Sequence, residues 1–234
     1  LDELQRFFLR HVGGFEILNT LQKLIRQTSQ HVFWVVGLSE ISAQYLQKTS
    51  LIHEFFSSII TLKSFDAKQI RTLIEKRHEV SGFKLIYNDD ITSQTKTLSK
   101  LTEAERQKEL ANIYFHKLHK SSNGSISLAM LRWVLSLKVM DQHQMVVQKI
   151  TELKEELIGL NADKISLIHA LLLHDGLDKQ ALLDTLHFSE AKTISILNTL
   201  QKNGVIIYRD SLICLNPVLF WQAVTLLTKK NLIH

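Results

Sequence analysis

The run His31–Gly37, HVFWVVG, is continuously apolar after its first residue. It is too short for an ordinary globular helix, and its valines and aromatics suit a strand buried on both faces. Such a strand cannot stand alone, because its backbone groups need partners and its faces need cover. Ser57–Leu62, SSIITL, has the same character, and the apolar spacing of Ile41–Phe56 predicts a helix between them. Strand, helix, strand predicts a right-handed crossover in a parallel sheet, completed by strands that precede Leu1.

Helical spacing dominates elsewhere. Asp2–Arg10 sets Leu4, Phe7 and Phe8 on one side; Gly13 and Gly14 interrupt, and Phe15–Gln27 resumes with Leu18, Leu21, Leu24 and Ile25. From Phe65 the character turns helical. Asp66 is placed to cap a helix carrying Ile70, Leu73 and Ile74, which ends near Gly82. The polar stretch Asn88–Ser99 predicts a mobile loop, after which Thr102 and Glu105 have capping-box spacing ahead of Leu110, Ile113, Tyr114 and Leu118. Ser127–Leu137 is apolar nearly all round, which predicts a central helix, and Met145, Val146, Ile150, Leu153 and Leu157 predict another.

The last third is differently built. Lys164–His174, Lys179–Leu186 and Glu190–Lys202 read as short helices, with Gly204 closing the last of them. Val205–Tyr208 and Leu212–Leu215 flank Arg209-Asp210-Ser211 as a hairpin, and Asn216-Pro217 opens a final helix. Val218, Trp221 and Val224 predict that this helix packs as an integral element, with Trp221 largely buried. Three helices plus a hairpin outline a winged helix-turn-helix. The expected fold class is therefore α/β plus all-α, in parts spanning 1–64, 65–159 and 160–234.

Apolar residues make up 45% of the chain and charged residues 22%, which argues against widespread disorder. Cys214 is the single cysteine, so an intrachain disulfide framework is excluded, in keeping with a reducing, cytoplasmic setting. It lies in an apolar strand with no adjacent base, and reads as a buried thiol rather than a nucleophile. The net charge of +5 is mild, and residues 160–234 hold 7 basic against 6 acidic residues, a weak electrostatic case for nucleic acid. No apolar run is long enough to span a bilayer, and membrane association through upstream sequence stays open. His116 and His119, three apart on a predicted helix, read either as two metal ligands or as part of a solvated face.

In the order of its elements the chain resembles the C-terminal part of an AAA+ ATPase of the STAND and origin-recognition-like branch. These P-loop proteins join an α/β nucleotide domain to a helical lid and often to a winged helix. DELQRFF, from Asp2, looks like the end of their Walker B strand with its acidic pair; HVFWVVGLSE looks like the strand that carries the sensor 1 polar residue, here Ser39. FDAKQIRTLIEKRHEVSGF, from Phe65, resembles the opening of the lid, and WQAVTLLTKKNLIH the terminal helix. The resemblance implies that Asp2 meets Mg²⁺ through bound water, that Glu3 orients the attacking water and that Ser39 senses the γ-phosphate. It implies nucleotide contacts from Arg77, Ser127 and Arg132 in the lid. Taken as residues alone, Asp2 and Glu3 are equally an exposed pair in a first helical turn, and Arg71, Lys76, Arg77 and His78 a charged lid surface.

The chain also departs from that family. Ser127 occupies the place of the usual lid arginine, and Arg132, five residues on, faces another side of the helix. KTSLIHEFF, ahead of the second strand, has no arginine finger, while Arg26 serves either a neighbouring subunit or the surface. ATP and Mg²⁺ are expected for the parent protein, with a GxxxxGK[ST] phosphate loop upstream of Leu1. Without that loop the chain is expected to be hydrolytically inactive and to hold no nucleotide tightly.

Two functions are in play. The first is the C-terminal part of an ATP-dependent molecular switch, whose lid motion is relayed to the winged helix and so to a protein partner or a second copy. The alternative is a DNA-binding transcriptional or replication-related regulator. Its third helix would then bring Lys192, Ser195, Asn198 and Thr199 to the major groove, with Arg209 on the backbone.

Overall fold

In the computed structural model, which describes residues 1–50, 52–93, 98–150, 157 and 159–233, the run 31–37 is extended yet joins no strand ladder. Ser57–Leu62 is likewise unladdered, so the expected parallel sheet is not formed among the described residues. The physical reason is a shortage of partners. The Leu1 amino group donates to Val35 O at 2.8 Å, Gly37 N donates to Leu1 O at 2.9 Å and Leu4 N to Gly37 O at 2.9 Å. The first two bonds are those of a parallel pair centred on Val36, but one residue in register is not a ladder. Trp34, Val36 and Leu38 turn inward, while Phe33 and Val35 are 92% and 65% exposed.

The described chain divides into two compact units, Leu1–Ile60 with Glu155–His234, and Thr61–Lys154. In the first, α1 spans Glu16–Thr28 and α2 Glu40–Thr49. The helix expected over Asp2–Arg10 is only a 3-10 turn, Leu4–Phe7, because Glu3 adopts a left-handed conformation and Phe8 is extended. Later come α6 (Ala162–His174), α7 (Lys179–Leu186), α8 (Glu190–Lys202) and α9 (Phe220–Lys229), with β4 (Ile206–Arg209) antiparallel to β5 (Leu212–Leu215). α6 is apolar on nearly every side and is buried as the hub against α2, α7, α8, α9 and β5. The core joins Leu4, Phe8, Leu18, Leu46 and Leu173. Gly176 lets the turn after α6 lie against β5: its φ is +108°, and a Cβ there would stand 2.7 Å from the Cys214 sulfur. Asn216 caps a short 3-10 turn that leads into α9, whose Ala223 and Leu227 are buried. α9 is thus integral, as expected; Trp221 on it is half-buried, with its indole N–H sealed from solvent.

The second unit holds α3 (Ala67–Glu79), α4 (Glu103–Ser122) and α5 (Ile126–Ser136). The expected capping box of Thr102 with Glu105 closes, and Asp66 caps α3 as expected, with Gln69 completing a second box there. Replacing Asp66 by alanine is expected to cost about 1 kcal/mol, read as a lower urea midpoint for the chain, with Asp66→Asn close to wild type. Beside the helices lies a three-stranded sheet in the order β1-β3-β2, with β1 Lys84–Tyr87, β2 Leu137–Val139 and β3 Gln144–Val147. β3 pairs parallel with β1 and antiparallel with β2. Met145 and Val146 therefore sit in a strand where a helix was expected: the turn at Asp141 folds β3 back on β2, and its β-branched residues suit the sheet. Leu153 lies outside the described residues, as do 94–97 of the expected loop. That loop is tied down on both sides of 94–97, by an Asp89–Arg106 ion pair and by buried Ile91 and Leu98.

Candidate functional site

Two short bonds and one absent side chain position the acidic pair. Asp2 Oδ1 accepts from the Glu3 amide at 2.9 Å, and Glu3, at φ 56° and ψ 49°, turns its carboxylate to Arg6 at 2.8 Å. Gly37 abuts Asp2 so closely that a Cβ would come within 2.6 Å of Oδ1. Ser39 follows Gly37 by two residues, and its amide donates to Gln5 Oε1 at 3.4 Å. Asp2 thus meets Gly37, while Glu3 is turned to Arg6, and no hydrogen bond joins Ser39 to either carboxylate among the described residues. The Ser39 hydroxyl is spent on starting α2, accepting from Ser42 N at 3.2 Å and sharing a 2.6 Å hydrogen bond with Ser42 Oγ.

The end of α6 closes the back of this region. Ser42 Oγ donates to Leu173 O at 2.5 Å, the Gln5 carbonyl meets His174 Nδ1 at 3.2 Å, and Arg10 Nη1 meets His169 Nδ1 at 2.9 Å. Those bonds place the proton of His174 on Nδ1 and leave Nε2 buried without a partner. Burial, with Arg10 alongside, pushes the pKa of both histidines down to about 4, so both are neutral near pH 7. Asp175 follows; partial desolvation raises its carboxyl first, and Arg209 opposes this while Glu3 adds to it. Arg6, His11, Ile17, His174, Leu177 and Leu212 line a cleft of about 390 Å³ at this corner. Gln5, Arg10, His169 and His174 carried no signal in the sequence. Only the N-terminal acidic pair marked the neighbourhood in which they meet.

The lid candidates are more dispersed. Arg77 is exposed in the last turn of α3, and Ser127 is exposed in the first turn of α5. Arg132, on another side of α5, is half-buried, and its Nε has no partner. Burial lowers its pKa, with Tyr114 nearby opposing the shift. No ion pair or hydrogen bond joins Arg77, Ser127 and Arg132 among the described residues.

On α8, Lys192, Ser195 and Asn198 are exposed along one side, and the Thr199 hydroxyl is turned back to Ser195 O at 2.9 Å. Lys192 is engaged, 2.8 Å from Asp163 and 4.2 Å above the Phe188 ring centre. Arg209 is exposed and acts on Asp175. Among the described residues no three His, Cys, Asp or Glu side chains gather as a metal site, His116 and His119 included, and no helix is long and apolar enough to cross a membrane. No protein-family model, curated protein or solved structure matches this chain.

Proposed function

We propose that the chain is the C-terminal part of an ATP-dependent molecular switch of the AAA+/STAND kind, with nucleotide state transmitted through the lid to a winged-helix module. The observation that carries this reading is the parallel-type bonding of Leu1 to Val35 and Gly37, directly before the acidic pair. Carboxylates at the end of such a strand are where Mg²⁺ and the attacking water are held in phosphoryl transfer. The open outer faces of Phe33 and Val35 suit a further layer supplied by the phosphate-loop segment. Arg132, half-buried and without a carboxylate, suits an anion. The winged-helix reading rests on the order α6, α7, α8, β4, β5, α9, with Leu177 bridged to Ile213 as a third short strand position.

The test compares ATP binding and turnover of this chain with those of the parent protein extended upstream. The chain alone is expected to turn over no ATP. In the extended protein Glu3→Gln is expected to retain binding and lose about 10²–10⁴-fold in kcat, and Asp2→Asn to weaken Mg²⁺-dependent binding. An upstream sequence without GxxxxGK[ST], or an extended protein that neither binds nor hydrolyses ATP, overturns the reading.

The exposed row Lys192, Ser195 and Asn198 supports a second reading, DNA binding through α8. Its charges are partly spent on Asp163 and Asp175. Fluorescence anisotropy with duplex DNA at two salt concentrations decides: saturable binding weakened by Lys192→Ala and Arg209→Ala supports it, and none at low salt removes it.

A further inference from the structure

The two edges of the β1-β3-β2 sheet are treated differently. In β1 the groups that face away from β3 belong to Leu85 and Tyr87, since Lys84 N and Asn88 N donate to β3 or its approach, at His143 O and Val147 O. The Gln107 side chain covers that edge as a strand would. Its Oε1 accepts from Tyr87 N at 2.8 Å and its Nε2 donates to Tyr87 O at 3.1 Å. Among the described residues the β2 edge has no such cover. Gln148 N donates to Ser136 O at 2.9 Å and Met140 N to Gln144 O at 3.0 Å, so by antiparallel alternation Lys138 bonds to β3 while Val139 directs its N–H and C=O outward. Leu137 N is spent on Val134 O, but its carbonyl also points outward.

Apolar side chains flank this open edge. Val134 and Leu135 lie in the last turn of α5 ahead of β2, Val139 ends the strand and Met140 follows it; all four are more than half exposed. Lys138 stands between them, exposed and without an ion pair among the described residues. Neighbouring Asp141 already accepts from the His143 amide at 2.7 Å. Lysine on a strand edge commonly guards against self-pairing. It does so here: two copies of β2 laid antiparallel about Lys138 would set the two ammonium groups directly opposite, which is destabilising. The same charge favours a carboxylate in that position.

We propose that the free edge of β2 is a docking site for an extended segment of a partner protein that carries a carboxylate between apolar residues. The segment adds a strand beside β2, takes the outward groups of Leu137 and Val139 as its backbone partners, and faces Lys138 with its acidic side chain. Val134, Leu135, Val139 and Met140 supply the apolar contacts.

The test titrates the 234-residue chain with two capped synthetic peptides, VTVEVTV and VTVKVTV, read by backbone amide NMR. The expected result is saturable shifts centred on the Val139 amide, with the glutamate peptide about tenfold tighter than the lysine peptide. Lys138→Glu is expected to reverse that preference, and Val139→Pro, which removes the outward N–H, to abolish binding. Equal affinity for the two peptides, shifts centred elsewhere, or no binding overturns the proposal. So does a concentration-dependent dimer in sedimentation that Val139→Pro abolishes, which would make a second copy the occupant.

Discussion

Trp133→Ala is expected to cost about 3–5 kcal/mol, the largest loss from any single side chain in Thr61–Lys154. Trp133 is 3% exposed and stacks on Phe115, with ring centres 5.8 Å apart and planes inclined by 19°. Tyr114 meets it edge-on at 5.6 Å, and His78 closes the other side at 6.0 Å. Removing the indole leaves an aromatic-lined void that the helices α3, α4 and α5 cannot fill without moving together. A loss of that size is a large part of a typical domain's 5–15 kcal/mol. The readout is calorimetry with near-ultraviolet circular dichroism: a transition lowered by many degrees and a weakened aromatic signal. Val134→Ala, one residue on and exposed, is the control and is expected to stay within about 0.5 kcal/mol of wild type. If the two variants prove alike, the aromatic cluster is not the core of this unit.

Acidification is expected to destabilise the other unit through His169 and His174. Their folded pKa values, about 4, lie below the unfolded value of 6.5, so the unfolded chain takes up protons first as pH falls. Stability is complete above pH 6.5 and is lost through the window from 6.5 down to 4. Each histidine contributes about 2 kcal/mol of loss between pH 6.5 and 5. Arg10 bonds His169 and its charge bears on both rings, the Gln5 carbonyl accepts from His174, and among the described residues no carboxylate pairs with either ring to stabilise its charged form. His174→Gln keeps a donor for Gln5 and removes one titration, and is expected to flatten the pH dependence of the urea midpoint. A midpoint that does not change between pH 7 and 5 would show that these rings are hydrated in solution.

What was legible in the residues was local. Thr102 with Glu105 closed the box its spacing announced, and Asp66 caps α3 as its position announced. α7 and α8 begin and end where the apolar period and its flanking polar residues placed them. The hairpin about Arg209-Asp210-Ser211 formed because Asp210 and Ser211 accept positive φ, at 49° and 70°. What depended on distant partners was not legible. HVFWVVG has strand composition, but a strand is a relation between chains, and among the described residues its one parallel partner is Leu1. Met145 and Val146 fit a helical period as well as a strand, and β2 with β1 decided between them. The site shows the same limit: Asp2 and Glu3 stand out by type, whereas His174, 169 residues from Gln5, joins them only through the fold.

The first unit is assembled from both ends of the described chain, with Thr61–Lys154 between them, and this has a consequence for biosynthesis. Emerging from a ribosome, the cluster of Leu18, Leu21 and Leu46 stays incomplete until α6 arrives more than a hundred residues later, because Leu173 closes it. Thr61–Lys154 has all its core residues in hand by then and is free to fold first. A compact insert replaces a long flexible loop, which reduces the entropy lost when the two ends finally meet. A nascent chain arrested before residue 160 would carry a finished insert behind an open apolar face, the kind of surface that chaperones bind. Ribosome-bound chains of increasing length are therefore expected to gain protease resistance in two steps, the insert first and the surrounding unit only after α6–α9 have emerged.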